Sequence, residues 1–200
     1  MNKQFINQLK TRIKDPLPGE KAQSIMMVKS KNPIQKINNK NEIIPSAVLI
    51  LLFYNNNKWN FFLTKRTQSV NYHKGQVSLP GGSQEGKETL QETAIRETEE
   101  EIGVNSKNIN IIGPLTPLYV PVSNFKIFPF IGWIKNKPEI KIQDNEVERI
   151  FSISIDNFIL ESTQKFKKDS LDGKKVIIPY FDINNEIVWG ATSVILSEFK

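Results

Sequence analysis

Glu97, Glu100 and Glu101 are separated by three and four residues, so on a helix advancing about 100° per residue their carboxylates share one arc of the surface. Three carboxylates in one arc can converge on a single ligand. Like charges at this spacing destabilise an isolated helix by about 0.2–0.5 kcal/mol per pair, and a helix C-terminus adds to the conflict because its dipole disfavours anions. A bound cation resolves both problems. With no His or Cys beside them, these hard oxygens favour Mg2+ or Mn2+ over zinc, and magnesium typically keeps waters while sharing phosphate oxygens of a substrate. A Glu-rich helix is ordinarily just a solvated acidic face, so the case depends on what surrounds these three.

The helix that must carry them has readable limits. Thr89 and Glu92 have the spacing of a capping box, and Gly103 suits the left-handed residue after the last turn. Between them Leu90, Ala94, Thr98 and Ile102 repeat every four residues and face a core. Upstream, Ala47 to Phe53 is a continuous apolar run of strand length, predicted to be buried on both faces, and Asn55-Asn56-Asn57 then turns the chain into a second strand over Trp59–Thr64. Ile109–Ile112, Val120–Val122, Ile127–Ile134 and Glu148–Ile155 read as later strands. Val176–Phe181 and Ile187–Trp189 follow around Asn184-Asn185, and Ala191–Phe199 closes the chain as a helix. At the start, Phe5, Ile6, Leu9 and Ile13 have helical spacing ended by Pro16-Leu17-Pro18-Gly19, and Lys29 to Glu42 reads as an exposed loop. The expected division is an N-terminal helix and linker over residues 1–44 and a catalytic domain over 45–200.

The 200 residues, 38% hydrophobic and 24% charged, suffice for one globular domain with short extensions. The absence of cysteine excludes disulfides, zinc-thiolate sites and thiol catalysis. Lysines interrupt the first apolar residues, unlike a signal peptide, and no stretch approaches the roughly 20 apolar residues of a membrane span, so a cytoplasmic protein without a membrane partner is expected. The net charge of +6 is scattered, with no dense arginine run, which argues against nucleic acid as the main partner and suits phosphate-bearing small molecules.

Gly82, five residues, Glu88, seven residues, Arg96-Glu97, then Glu100-Glu101, one residue, Gly103-Val104 resembles the Nudix box, the loop-helix-loop signature of hydrolases of nucleoside diphosphates linked to another group. One position departs, since Thr98 stands where the box has an apolar residue; its methyl can still pack. The resemblance implies an α/β fold, an α/β/α sandwich with a mixed sheet. It also implies a metal-activated water attacking one phosphorus of a pyrophosphate. Glu97 and Glu101 become the principal metal ligands, and Glu100 a further ligand or a water-orienting group. Arg96 either aims one of these glutamates through a bidentate pair, the favoured reading, or forms a surface ion pair with Glu92 or Glu100. Glu88 reads as structural. Gly81 and Gly82 would let the backbone approach the site closely. Glu146, outside the helix, is a candidate general base against the alternative of an exposed acid starting a strand.

Phe62-Leu63-Thr64-Lys65-Arg66-Thr67, then Gly75 and Leu79-Pro80-Gly81-Gly82, resembles the segment of Nudix coenzyme A pyrophosphatases, and it abuts the box at Gly82. The spacing matches, but Phe62, Thr67, Asn71 and Leu79 replace a leucine, a small residue, a second arginine and a phenylalanine of that pattern. Asn71 matters most, because it removes a cation that would meet a phosphate; Lys65 and Lys74 are the nearby cations that could compensate. Arg66 either contacts phosphate or pairs with an acid to hold the loop, and His73 is expected in a loop near substrate. Segments 117–125, 179–181 and 187–192 also look like this family. The implied substrate is coenzyme A or an acyl derivative. Alternatives are a Nudix hydrolase of ADP-ribose, dinucleotides or nucleoside triphosphates, or a non-catalytic nucleotide- or RNA-binding Nudix domain. The resemblance further suggests a homodimer.

Overall fold

Apolar residues arrive in runs of strand length along this chain, and the computed structural model, which describes residues 3–30, 42–67, 75–143, 145–171 and 173–200, folds them into two sheets. The elements in chain order are α1 (Lys3–Arg12), α2 (Gly19–Gln23), β1 (Lys29–Ser30), β2 (Ile44–Asn55), β3 (Lys58–Arg66), β4 (Val77–Ser78) and β5 (Gly81–Ser83). Then come α3 (Leu90–Ile102), β6 (Asn110–Pro114), β7 (Leu118–Val120), β8 (Phe125–Ile134), β9 (Val147–Ser154) and α4 (Ile155–Phe158). Last are β10 (Gln164–Leu171), β11 (Lys174–Ile183), β12 (Glu186–Val188) and α5 (Gly190–Phe199).

The larger sheet runs β4-β3-β2-β8-β6, with β5 on β2, β7 on β8 and β9 on β3; β2 and β8 pair in parallel and the rest antiparallel. It is mixed, as expected. Its centre is β2, whose alternating side chains enter two separate cores. Ala47, Leu49, Leu51 and Phe53 pack with Ala94 and Ile102 of α3. Ile50 and Leu52 face the other way, with Phe61, Leu63, Phe158 and the α5 residues Val194, Ile195 and Leu196. Fully burying a side chain of this size stabilises by about 1.5–3 kcal/mol, which is why this strand can hold a helix on each face of an α/β/α sandwich. The β2–β3 hairpin turns through Asn56 and Asn57, both at positive φ (49° and 59°), the conformation that asparagine tolerates best after glycine.

The smaller sheet, β1-β11-β10 with β12 on β11, contains the largest departures from expectation. β10 has the sequence QKFKKDSL, too lysine-rich to read as a strand; the lysines suit an edge that must not recruit further strands. Lys29 and Ser30, expected in a loop, pair with Ile177 and Val176, while residues 31–41 lie outside the described part. The expected strand at Val120–Val122 ends at Val120, because Pro121 lacks a backbone donor and the turn that follows closes on Asn124 at φ 59°. Ile6 and Met26 are buried in the same core as α5.

Candidate active site

Helix α3 starts and stops where local chemistry requires. The Thr89 hydroxyl accepts from the Glu92 backbone N–H while the Glu92 carboxylate accepts from the Thr89 N–H (2.7 Å), and Gly103 ends the helix at φ 72°. Thr98, the odd residue of the box, is fully buried, and its hydroxyl donates to the Ala94 carbonyl at 2.6 Å. Its polarity is thus satisfied within its own helix, leaving the methyl to pack.

Arg96 organises the exposed side of this helix. Its Nε and Nη2 donate to the two oxygens of Glu88 (3.0 and 2.9 Å), and Nη2 also reaches the Ser83 carbonyl (3.1 Å). Nη1 donates to both Glu97 and Glu100 at 3.0 Å. The bidentate pair is therefore with Glu88, with single bonds to Glu97 and Glu100, and Glu92 is occupied by the cap. Glu88 also accepts from the Glu85 N–H and the Thr93 hydroxyl, both at 2.9 Å. Hydrogen bonds from Arg96 first, and from Glu85 and Thr93, hold its carboxyl down at about 2 from an ordinary 4.5.

The other side of the helix end is buried. The Glu101 side chain is 2% exposed. One of its oxygens accepts from the Gly81 N–H at 3.3 Å, and the other lies 3.5 Å from Nη1 of Arg66. Nη2 of Arg66 lies 3.7 Å from the Glu146 carboxylate, and Nε of Arg66 is buried without a hydrogen-bond partner among the described residues. Burial pushes the Glu101 carboxyl up to about 8, partly opposed by Arg66 and reinforced by Glu97 and Glu146. Burial likewise raises Glu97 against the pull of Arg96.

The glycines of β5 make these approaches possible. A Cβ on Gly82 would sit 2.4 Å from the Glu97 carboxylate, and one on Gly81, at φ 152°, would sit 2.2 Å from the Ala47 carbonyl. Glu146 arrives by a different route. The carbonyls of Glu101 and Ile102, left open at the helix end, accept from Gln143 N (3.3 Å) and Lys141 N (3.1 Å), so the segment that completes the helix also delivers Glu146. That docking has no signal in the sequence beyond the acid itself.

Not every expected residue joins this group. Lys65 shares the sheet face of Phe61 and Leu63 and pairs with Glu186 of β12 at 3.1 Å, which Arg149 also contacts. Strand alternation sends it away from its neighbour Arg66. Asn71, His73 and Lys74 lie outside the described residues. Of the aromatic residues along β8, Phe130 and Trp133 pack against the cores, while Phe128 is half-buried beneath Lys126.

Among the described residues no group of three acidic or histidine side chains closes on a single point as the side chains stand; Arg96 lies between Glu97 and Glu100, and Arg66 between Glu101 and Glu146. The donors nevertheless suit a hard divalent cation. They are carboxylate oxygens, and two of them, on Glu97 and Glu101, are kept from easy ionisation first by burial and further by neighbouring carboxylates.

A mixed sheet thus carries a capped acidic helix packed against a glycine pair. The NUDIX domain family matches residues 44–173. Nudix hydrolase 3 of Caenorhabditis elegans is 31% identical over 171 residues, covering 76% of this chain and 70% of that protein. The mitochondrial Nudix hydrolase 15 of Arabidopsis thaliana is 32% identical over 159 residues, covering 76% of this chain, which spans only 55% of that relative's length. The fold also matches the crystal structure of a MutT/nudix family protein from Enterococcus faecalis, with a TM-score of 0.54 at 16% identity over 82% of this chain and 63% of that one. The chain belongs to the NUDIX family, as a Nudix hydrolase.

Proposed function

We propose that this hydrolase cleaves the pyrophosphate bond of coenzyme A or acyl-coenzyme A, giving 3′,5′-ADP and (acyl-)4′-phosphopantetheine, with Mg2+ or Mn2+ as cofactor. The observation that carries the reading is that two residues of the coenzyme A-type segment, Arg66 from its first part and Gly81 from its last, meet the buried carboxylate of Glu101 on the box helix. Arg66 and Gly81 of that segment thus adjoin the carboxylate proposed to hold the metal, which supports reading the segment as a determinant of substrate.

Glu97 and Glu101 would hold the metal ion, with Glu100 as a further ligand. When bound, the ion neutralises charge on the phosphoryl oxygens and polarises a water. Arg96, which donates to Glu97 and Glu100, would hold both in place for the metal, and Gly82 leaves room beside the Glu97 carboxylate. Glu146 would take the proton as the water attacks phosphorus; the bond from phosphorus to the bridging oxygen breaks, and the leaving phosphate carries the charge. We assign this chemistry to residues 45–200, with 1–44 as helix and linker, and keep a cytoplasmic location and a homodimer as parts of the same reading. His73 remains assigned to substrate, whereas Lys65, turned toward Glu186, is not needed there.

Chromatographic product analysis tests the proposal, using coenzyme A, ADP-ribose, NADH and diadenosine polyphosphates with Mg2+, Mn2+ or EDTA. Metal-dependent 3′,5′-ADP from coenzyme A, with little turnover of the rest, is expected. Preferential cleavage of another compound would replace the coenzyme A assignment with one of the broader Nudix substrates.

A further inference from the structure

Arg66 ends β3 at an irregularity, because the register with β9 shifts between Lys65 and Arg66. A bulge re-aims the side chains beside it. Lys65 turns to Glu186, while Arg66 turns to Glu101 of α3 and Glu146 of the segment before β9. The backbone of that segment is secured without the guanidinium: Thr67 N donates to the Glu146 carbonyl (2.9 Å), the Thr67 hydroxyl to the Asn145 carbonyl (3.1 Å), and Glu146 N to the Gln143 carbonyl (3.0 Å). What remains to be set is where the Glu146 carboxylate points. That side chain is 44% exposed, with Arg66 the cation beside it.

We propose that Arg66 is a positioning residue whose guanidinium fork holds the Glu146 carboxylate beside Glu101, rather than a cation that grips substrate phosphate. The proposal rests on the hydrolase reading above. Both terminal nitrogens already face carboxylates, on two different elements, so a phosphate approaching them would meet two anions as well as the cation. At 3.5 and 3.7 Å the contacts are ion pairs too long for hydrogen bonds, as a fork has before a bound ligand tightens it. Among the described residues, buried Nε has no competing partner to rotate the group away. A planar guanidinium presents two separate nitrogens to two carboxylates in a fixed fork, a geometry that the single nitrogen of an ammonium does not reproduce.

The test is a double-mutant cycle of Arg66→Ala and Glu146→Gln, assayed with Mg2+ on whichever substrate the product screen identifies. Arg66→Ala should lower kcat by roughly 10- to 100-fold, the range for outer partners of a metal site, with KM within about threefold of wild type. The double variant should be no slower than Glu146→Gln alone, and Arg66→Lys should recover little. A KM raised about tenfold with kcat retained, multiplicative losses in the double variant, or full rescue by lysine would overturn the proposal and point to phosphate binding. Mn2+ titration of the substrate-free protein, followed by electron paramagnetic resonance, gives a readout independent of turnover. Arg66→Ala should bind Mn2+ as tightly as wild type or tighter, since a cation beside the ligands has gone; binding about tenfold weaker would mean that Arg66 holds the ligands themselves and would also overturn it. If the wild-type protein turns over nothing in the screen, the substrate reading fails, and the cycle is then read in urea unfolding. There the paired substitutions should shift the midpoint by less than the sum of the separate shifts, whereas additive shifts would dismiss the contact.

Discussion

Two arginines flank the acidic helix, and they are held in opposite ways. Among the described residues Arg96 is bound entirely by residues 83–100, through five hydrogen bonds of 2.9–3.1 Å, whereas Arg66 meets Glu101 and Glu146 at 3.5 and 3.7 Å and keeps one buried nitrogen unpartnered. A network built from neighbours in sequence can be saturated, because its members are brought together by the helix and loop that carry them. One assembled from three separate elements has to be brought together by the fold, and here it retains slack. Arg96 is expected to act as scaffold for the acids around it, and Arg66 to bear on the chemistry through Glu146.

Substitutions on each side can break or sharpen that contrast. The largest effect should come from the buried end of the helix: Glu101→Gln, checked for folding by circular dichroism, should lower Mg2+-dependent kcat by roughly 10²- to 10³-fold, the scale seen when one preorganised electrostatic group is removed. Full retained activity would show that the metal does not sit there. On the Arg96 side, Glu88→Gln should register in stability and its pH dependence. The Glu88 carboxyl is held at about 2 in the fold against an ordinary 4.5, so its contribution is present above about 4.5 and is lost as pH falls toward 2. Urea unfolding should therefore find the variant weaker than wild type at about pH 6, with the gap closing over that window. A gap that persisted unchanged to the acid end would mean that Glu88 does not act through its charge.

Smaller still is the cap. Thr89→Ala should cost about 1 kcal/mol of stability in thermal unfolding while kcat stays within a factor of two, since Thr89 touches only the start of the helix. Lys65→Ala should change least: the pair with Glu186 is partly exposed, so kcat/KM should stay within about twofold and stability within about 1 kcal/mol. A large rise in KM would return Lys65 to the substrate site and contradict the face on which the sheet places it.

Much of the frame is legible in short stretches of the chain. The capping box, the left-handed Gly103, the asparagine hairpin and the doubly buried β2 each depend on residues within a turn or a strand of one another, and each lies where local rules place it. β10 is not legible in this way, because a lysine-rich edge strand takes its order from pairing with β11 over eight residue positions rather than from its own pattern. β7 stops two residues short of the apolar pattern that suggests it, and Pro121 is the residue that marks the end.

The acidic arc of α3 and the family to which it belongs follow from the sequence alone, because spacing along a helix is a local property. Which cation meets which acid is settled only by tertiary packing. It separates Lys65 from Arg66, although they are adjacent in the chain, and joins Arg66 to Glu146, eighty residues away. Strand alternation and a bulge set the first outcome, and the docking of residues 141–147 onto the open carbonyls of a helix end sets the second. Both depend on elements that come into contact only when the sheet and the helix have packed.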